Sequence, residues 1–228
     1  MTAFSTEPQS CVSLVSCIGM TRSAPAPCFS SWKMHQTLPQ LLMNIRACTH
    51  CADALPCGPR PVLQAHASAR LRIVGQAPGR KVHETGIPWN DPSGDRLRNW
   101  LGLTPEQFYD PRKTAIVPMG FCYPGKAASG DNPPRRECAP LWHEKLNAHL
   151  KDITLTLLIG QHAQAYYLGE RRKGTLGDTV KAWKEYLPLG YLPLAHPSPR
   201  NQPWLARNPW FEEELVLDLR NTIRALKL

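Results

Sequence analysis

Two short segments of this chain carry residue types able to meet a ligand and act on it. The first is Gly75-Gln76-Ala77-Pro78-Gly79. Two glycines around a proline let the backbone approach a ligand closely while the turn stays rigid. The segment is neither the G-x-G-x-x-G dinucleotide fingerprint nor a P-loop, which needs Gly-Lys-Ser/Thr. Dehydrogenase and kinase chemistry therefore have little support. The second segment is His196-Pro197-Ser198-Pro199-Arg200-Asn201. A histidine fixed before a proline can point one ring edge into a cleft, and Ser198, Arg200 and Asn201 offer groups for phosphates or base edges. Each segment alone also has a plain structural reading, as a strand-to-loop turn and a hydrogen-bonded loop histidine. A third feature is Cys48-Thr49-His50-Cys51, with Cys122 and Cys138 far along the chain. By itself such a C-x-x-C pair suits zinc, redox work or an iron–sulfur cluster equally well.

The bulk properties narrow the setting. With 228 residues and 42% hydrophobic composition, the chain can form one domain with a full core plus tails. A formal net charge of +9 favours an anionic partner such as nucleic acid, although a merely basic soluble protein carries the same charge. No apolar run approaches the ~18 residues of a membrane span. The stretch Cys11 to Met20 lacks a basic n-region, so no secretory signal is expected. Without an export signal the eight cysteines read as metal ligands, buried thiols or incidental residues rather than disulfides. A cytoplasmic location is expected, nucleoid-associated in a bacterium.

Residues 1–33 are rich in Ser, Thr, Pro and Cys without sustained period and read as a disordered extension. Met34 is an alternative start, and residues 34–228 form the expected domain. Leu38, Leu41, Leu42 and Ile45 have the spacing of a helix over 38–47. Strands are expected over 71–74, 114–117, 153–159 and 191–194. Helices are expected over 95–101, 138–150, 161–168 and 209–226, with a loop from Gly79 to Asp95. Strands alternating with helices imply an α/β fold, three layers α/β/α around a central, mostly parallel four-stranded sheet. Ligands bind such sheets beyond the carboxyl ends of the strands, where both segments fall.

In this order and spacing, Gly75–Gly79 and His196–Pro199 resemble the two signature motifs of the uracil-DNA glycosylase superfamily. The resemblance covers roughly Ile45 to Leu226. His83-Glu84-Thr85-Gly86-Ile87-Pro88-Trp89, Asn99-Trp100-Leu101-Gly102 and Ser129-Gly130-Asp131-Asn132 are similar to the single-strand-selective branch. The cysteine layout resembles the iron–sulfur branch, families 4 and 5. The chain is thus identified as a divergent member that mixes both. That resemblance implies a monofunctional DNA glycosylase, which flips uracil or another deaminated base from DNA and hydrolyses its N-glycosidic bond in base excision repair. It places Trp89 against the flipped base, with Gly75, Ala77, Pro78, Gly79 and Asn90 around it. His196 becomes the donor to the departing base, and Ser198, Arg200 and Asn201 meet the DNA. Cys48, Cys51, Cys122 and Cys138 occupy the four ligand positions of a structural [4Fe–4S] cluster, with zinc or unligated thiols as the alternatives. A monomer is expected.

Two departures matter. Family members carry Asp or Asn at the third position of the first motif, or an acidic residue at its second position or shortly after. Here these positions are Ala77 and Gln76. His83 and Glu84 rank first as substitutes able to order a water or stabilise an oxocarbenium-like sugar, followed by Gln76 as a water positioner. Asp91 and Asp95 are later candidates, Asp91 being better suited to capping the next helix. In addition, Pro118-Met119-Gly120-Phe121-Cys122 lacks the Asn with which iron–sulfur members read a pyrimidine edge. The base is accordingly left open. A rival reading, favoured by Ala77 and Pro118, is a non-catalytic or covalently trapping DNA-binding protein on the same fold. A metal-dependent nucleotide hydrolase would need a carboxylate cluster that the sequence does not show.

Overall fold

A computed structural model describes residues 36–228. The extension expected over residues 1–33 lies outside the described residues. Four apolar runs form the strands β1 (Leu71–Val74), β2 (Thr114–Ile116), β3 (Leu155–Ile159) and β4 (Tyr191–Leu194). Nearly every strand position is buried, as a parallel sheet covered on both faces requires. The sheet order is β2-β1-β3-β4 and every pairing is parallel, with Ile73 opposite both Ile116 and Leu157.

The helices are α1 (Leu38–Arg46), α2 (Arg80–Thr85), α3 (Pro92–Leu101), α4 (Pro105–Tyr109), α5 (Cys138–His149), α6 (Gln161–Leu168), α7 (Leu176–Lys181), α8 (Trp183–Tyr186), α9 (Gln202–Arg207) and α10 (Val216–Ala225). Leu71, Ile73, Leu155, Leu157, Leu192 and Leu194 point to one face, where Leu97 and Trp100 of α3, Phe108 of α4, Val180 of α7, Leu205 of α9 and Leu219 of α10 cover them. The opposite face packs against Leu41 and Ile45 of α1, Leu146 of α5 and Ala163 of α6. Three layers result, as the alternation of strands and helices predicts. Among the described residues no helix is long and apolar enough to cross a membrane.

Besides shifts of one or two residues at strand and helix ends and the additional short helices α4, α7, α8 and α9, three differences from expectation stand out. The loop expected after Gly79 contains α2, which closes at Gly86 with φ +73, a conformation glycine adopts without steric cost. α3 starts at Pro92 rather than Asp95, because Asp91 accepts a hydrogen bond from Gly94 N and Pro92 suits the first turn. The C-terminal helix is not continuous from residue 209, since Phe211–Leu215 form a π-turn before α10.

One face of the sheet hides a polar chain that reaches the carboxyl edge. Arg72 of β1 is buried; its Nε donates to Thr156 Oγ1 at 3.1 Å and its Nη1 to Asn147 Oδ1. The guanidinium also lies 4.8 Å from the Tyr167 ring centre. Tyr167 Oη is 2.8 Å from His143 Nδ1, and His143 Nε2 is 3.0 Å from the Pro118 carbonyl oxygen. A carbonyl only accepts, so Nε2 carries the proton and Nδ1 accepts from the tyrosine. Burial pushes His143 down to about 4, so its ring is neutral at physiological pH. This chain of partners fixes Pro118, the first residue of the loop that departs from the family pattern.

Candidate active site

The chain runs from β1 to one neighbour, β2, then returns to β1's other side as β3. Loops therefore diverge at the carboxyl edge and leave a crevice there. A cavity of about 540 Å³ occupies it, lined by Gly75–Gly79, Trp89, Asp91, Pro118, Ser129–Asp131 and His196 with Ser198–Asn201.

The first motif is pinned from below. The carbonyls of Gly75 and Gln76 accept from Met119 N and Gly120 N at 2.9 and 3.0 Å, which extends the sheet pairing beyond β1. The Gln76 side chain donates through Nε2 to the Asn132 carbonyl at 2.9 Å and so holds a second loop against the motif. Ala77, Pro78 and Gly79 then face the cavity.

His196 is oriented by its own loop. Ser198 N–H donates to its Nδ1 at 3.1 Å, and Asn201 Nδ2 donates to its carbonyl at 2.8 Å. With Nδ1 accepting, the ring proton belongs on Nε2. Burial lowers the pKa of this histidine, opposed by the nearby Asp91 charge. A neutral imidazole with an N–H to give therefore lines the cavity. Arg96 of α3 reaches the Ser198 carbonyl at 3.5 Å and ties this loop to the next layer.

Trp89 stands beside it, with ring centres 5.6 Å apart and planes inclined by 34°. Its backbone φ is +56, a left-handed conformation that costs an L-residue about 1–2 kcal/mol. The surroundings enforce it. A Cβ on Gly75 would lie 2.9 Å from Trp89 Cζ2, and one on Gly94 would overlap the Trp89 carbonyl. Arg98 Nη1 also donates to that carbonyl at 3.3 Å. Strain held in this way is characteristic of functional loops.

Two carboxylates complete the cavity. From the position a Cβ would take on Gly79, Asp131 Oδ2 is 3.5 Å away and Asp91 Oδ2 is 3.9 Å away. Asp91 uses its other oxygen to cap α3, accepting from Gly94 N at 2.8 Å. Burial raises the pKa of Asp131, with Arg200 acting against it and Asp91 adding to it. Arg200 lies over the neighbouring residue, Nη1 being 2.6 Å from where a Gly130 Cβ would sit.

Most of the residues singled out in the sequence meet here: Gly75, Gln76, Ala77, Pro78, Gly79, Trp89, His196, Ser198, Arg200 and Asn201 all line the cavity. His83, Glu84 and Asn90 are not among the lining residues. Glu84 has 56% of its side chain exposed and pairs with Arg80 at 2.9 Å, one helical turn away on α2. The His83 ring lies 6.0 Å from Tyr123, and its buried Nδ1 has no partner among the described residues. The acidic groups that face the cavity are Asp91, read from the sequence chiefly as a cap, and Asp131, whose role went unread. The signal for Asp131 was faint, an acid after a glycine in an aperiodic loop.

The four cysteines also meet. Cys48, Cys51, Cys122 and Cys138 line a small void of about 20 Å³ together with Arg135, Phe121 and Trp142. Burial pushes Cys138 up to about 12 and raises Cys122 as well, and in both the neighbouring thiols act in the same direction. Phe121 N–H lies 3.4 Å from Cys138 Sγ. The Nε of Arg135, which lines the same void, is buried without a hydrogen-bond partner. Four soft donors and an unused cationic N–H fit a thiolate-bound metal centre, whose net negative charge that N–H would offset. Among the described residues no three candidate ligands already stand as a group around one point. Cys57 is exposed and lies outside this void.

A parallel three-layer domain with a strained aromatic and a neutral donor histidine at its carboxyl edge defines the class. Residues 63–220 match the model of the Uracil DNA glycosylase superfamily. The match spans every strand of the sheet and both motif loops. The chain belongs to this superfamily.

Proposed function

We propose that the protein is a monofunctional DNA glycosylase that extrudes a deaminated base, uracil or a close analogue, and hydrolyses its N-glycosidic bond in base excision repair. The observation that carries this reading is His196, a neutral ring whose occupied Nδ1 leaves Nε2–H for the cavity beside Trp89. A flipped base stacks on an aromatic face in such sites. As the bond from C1′ to the base breaks, its electron pair moves onto the base and charge accumulates on a carbonyl oxygen. A fixed donor there stabilises the transition state more than the ground state. Ser198, Arg200 and Asn201 extend along the same loop toward the strand, and the net charge of +9 supports phosphate binding. Base reading uses groups other than a side-chain amide at Pro118, whose carbonyl is already taken by His143.

Within the same reading, Cys48, Cys51, Cys122 and Cys138 hold a [4Fe–4S] cluster. Bound there, the group supplies a covalent cross-link between the loop after α1, the loop after β2 and the start of α5. Iron content and the absorption spectrum of anaerobically purified protein distinguish a cluster from zinc, which the same thiols would also accept.

The decisive assay is a panel of oligonucleotides carrying uracil, hypoxanthine or xanthine, in single and double strands. Release of a base leaves an alkali-labile abasic site, and His196→Ala abolishes release while DNA binding persists. If every substrate stays intact while DNA is bound, the enzyme reading fails. The non-catalytic or trapping DNA-binding protein, which Ala77 favours, then takes its place.

A further inference from the structure

Hydrolysis needs a group that takes a proton from the attacking water, and the first motif offers none. Ala77 has no polar side chain, and the amide of Gln76 is engaged with the Asn132 carbonyl. On the glycosylase reading above, we propose that the Asp131 carboxylate is the general base and that Asp91 is its fixed anionic neighbour.

Both acids line the cavity and converge on Gly79, at the end of the first motif. Their environments differ, and different environments divide labour between paired carboxylates. One oxygen of Asp91 is held by Gly94 N–H at the start of α3, so its place is set by helix geometry. Among the described residues no donor is hydrogen-bonded to the Asp131 carboxylate, which leaves its oxygens for a water. Asp131 is an exposed residue whose partial desolvation favours the protonated form, and a carboxylate so shifted is a stronger base at neutral pH. The charged groups facing it are Arg200 from the loop after β4, Asp91 before α3 and Lys126 on its own hairpin, with the Tyr123 hydroxyl nearby.

The group is also held in place. Asp131 pairs with Lys126 across a bridge, and the next residue is fastened at three points. Asn132 N donates to the Gly125 carbonyl, Asn132 Nδ2 donates to the Pro124 carbonyl, and the Asn132 carbonyl accepts from Gln76. Gln76 therefore acts here as a positioning residue, reaching the water only through the hairpin that bears Asp131. In the step itself the water oxygen bonds to C1′ while the bond from C1′ to the base breaks. The bond pair leaves on the base, which His196 Nε2–H stabilises. Asp131 takes the water proton and passes it to solvent or to the departed base. The products are a free base and an abasic sugar.

The test measures single-turnover release, on the best substrate of the panel, from pH 4 to 8. Asp131→Asn is expected to lower the rate by about 10²–10⁴-fold with DNA affinity unchanged, and to remove the acid limb of the pH profile. Asp91→Asn retains a capping side chain but removes a charge, so the acid limb moves to lower pH. In Asp131→Ala, added formate restores part of the rate, which a merely structural defect would not allow. If Asp131→Asn keeps the wild-type rate and profile while His196→Ala is inactive, the assignment of Asp131 is overturned and the glycosylase reading stands. A wild-type protein inert on the whole panel overturns both.

Discussion

His143 of α5 and His196 of the loop after β4 both stand near the carboxyl edge of the sheet, and burial lowers the pKa of each. They differ at a single nitrogen. His143 has Tyr167 on Nδ1 and the Pro118 carbonyl on Nε2, so both ring positions are used inside the protein. His196 has Ser198 N–H on Nδ1, and among the described residues nothing is hydrogen-bonded to Nε2. A desolvated, neutral histidine is therefore no sign of chemistry in itself. What separates support from action is the hydrogen bond left open and the cavity that His196 lines. The same distinction divides Asp91, half committed to a helix cap, from Asp131, which is uncommitted.

The comparison breaks if the two histidines prove interchangeable in effect. His196→Ala should abolish detectable single-turnover base release, a fall of at least about 10²–10³-fold, the cost of one lost transition-state donor. Its urea midpoint should stay near wild type. His143 should show the converse, in stability. Its pKa is near 4 in the folded state and about 6.5 in the unfolded chain, so between these values the unfolded chain binds more protons. Its contribution is complete above pH 6.5 and is lost as the pH falls toward 4, by about 3 kcal/mol in all. Urea titrations at pH 7, 6, 5 and 4 measure this loss, and His143→Gln should flatten it. Gly75→Ala sharpens the picture of the base platform. The new methyl group displaces the Trp89 ring, and release should drop about tenfold with a stability loss of about 1 kcal/mol. The smallest effect belongs to Glu84→Gln, whose carboxylate pairs with Arg80 in solvent. Exposed pairs of this kind contribute at most about 1 kcal/mol, and release should change less than about twofold.

The sheet was legible in the sequence because all four strands are buried on both faces and so read as mostly apolar runs, with Arg72, Thr114 and Thr156 as buried polar exceptions, between glycine- and proline-rich turns. Both motif loops were legible for a related reason, since each directly follows a strand. What the sequence hid depends on short helices and long-range contacts. α2 has six residues after a proline–glycine pair, too few to show a period, and its geometry turns Glu84 toward Arg80. α7, α8 and α9 are short as well, four to six residues each, too few to show a helical period. Asp131 stands in a family-like segment, but its place at the cavity was not legible because 56 residues separate Gln76 from Asn132, the contact that brings its hairpin there. The cysteines pose the opposite case. Their types alone allowed several chemistries, while the fold gathers four of them and leaves Cys57 outside.

The left-handed backbone at Trp89 has a further consequence. The free protein holds this residue in an unfavourable conformation against which Gly75, Gly94, Arg98 and His196 are packed. Selection for heat resistance alone would act against that arrangement, because a glycine or asparagine at position 89 relieves it while discarding the aromatic platform. Stability and turnover thus pull in opposite directions at one residue. The positions around the indole can change only in concert, since enlarging either glycine forces the ring or its carbonyl to move.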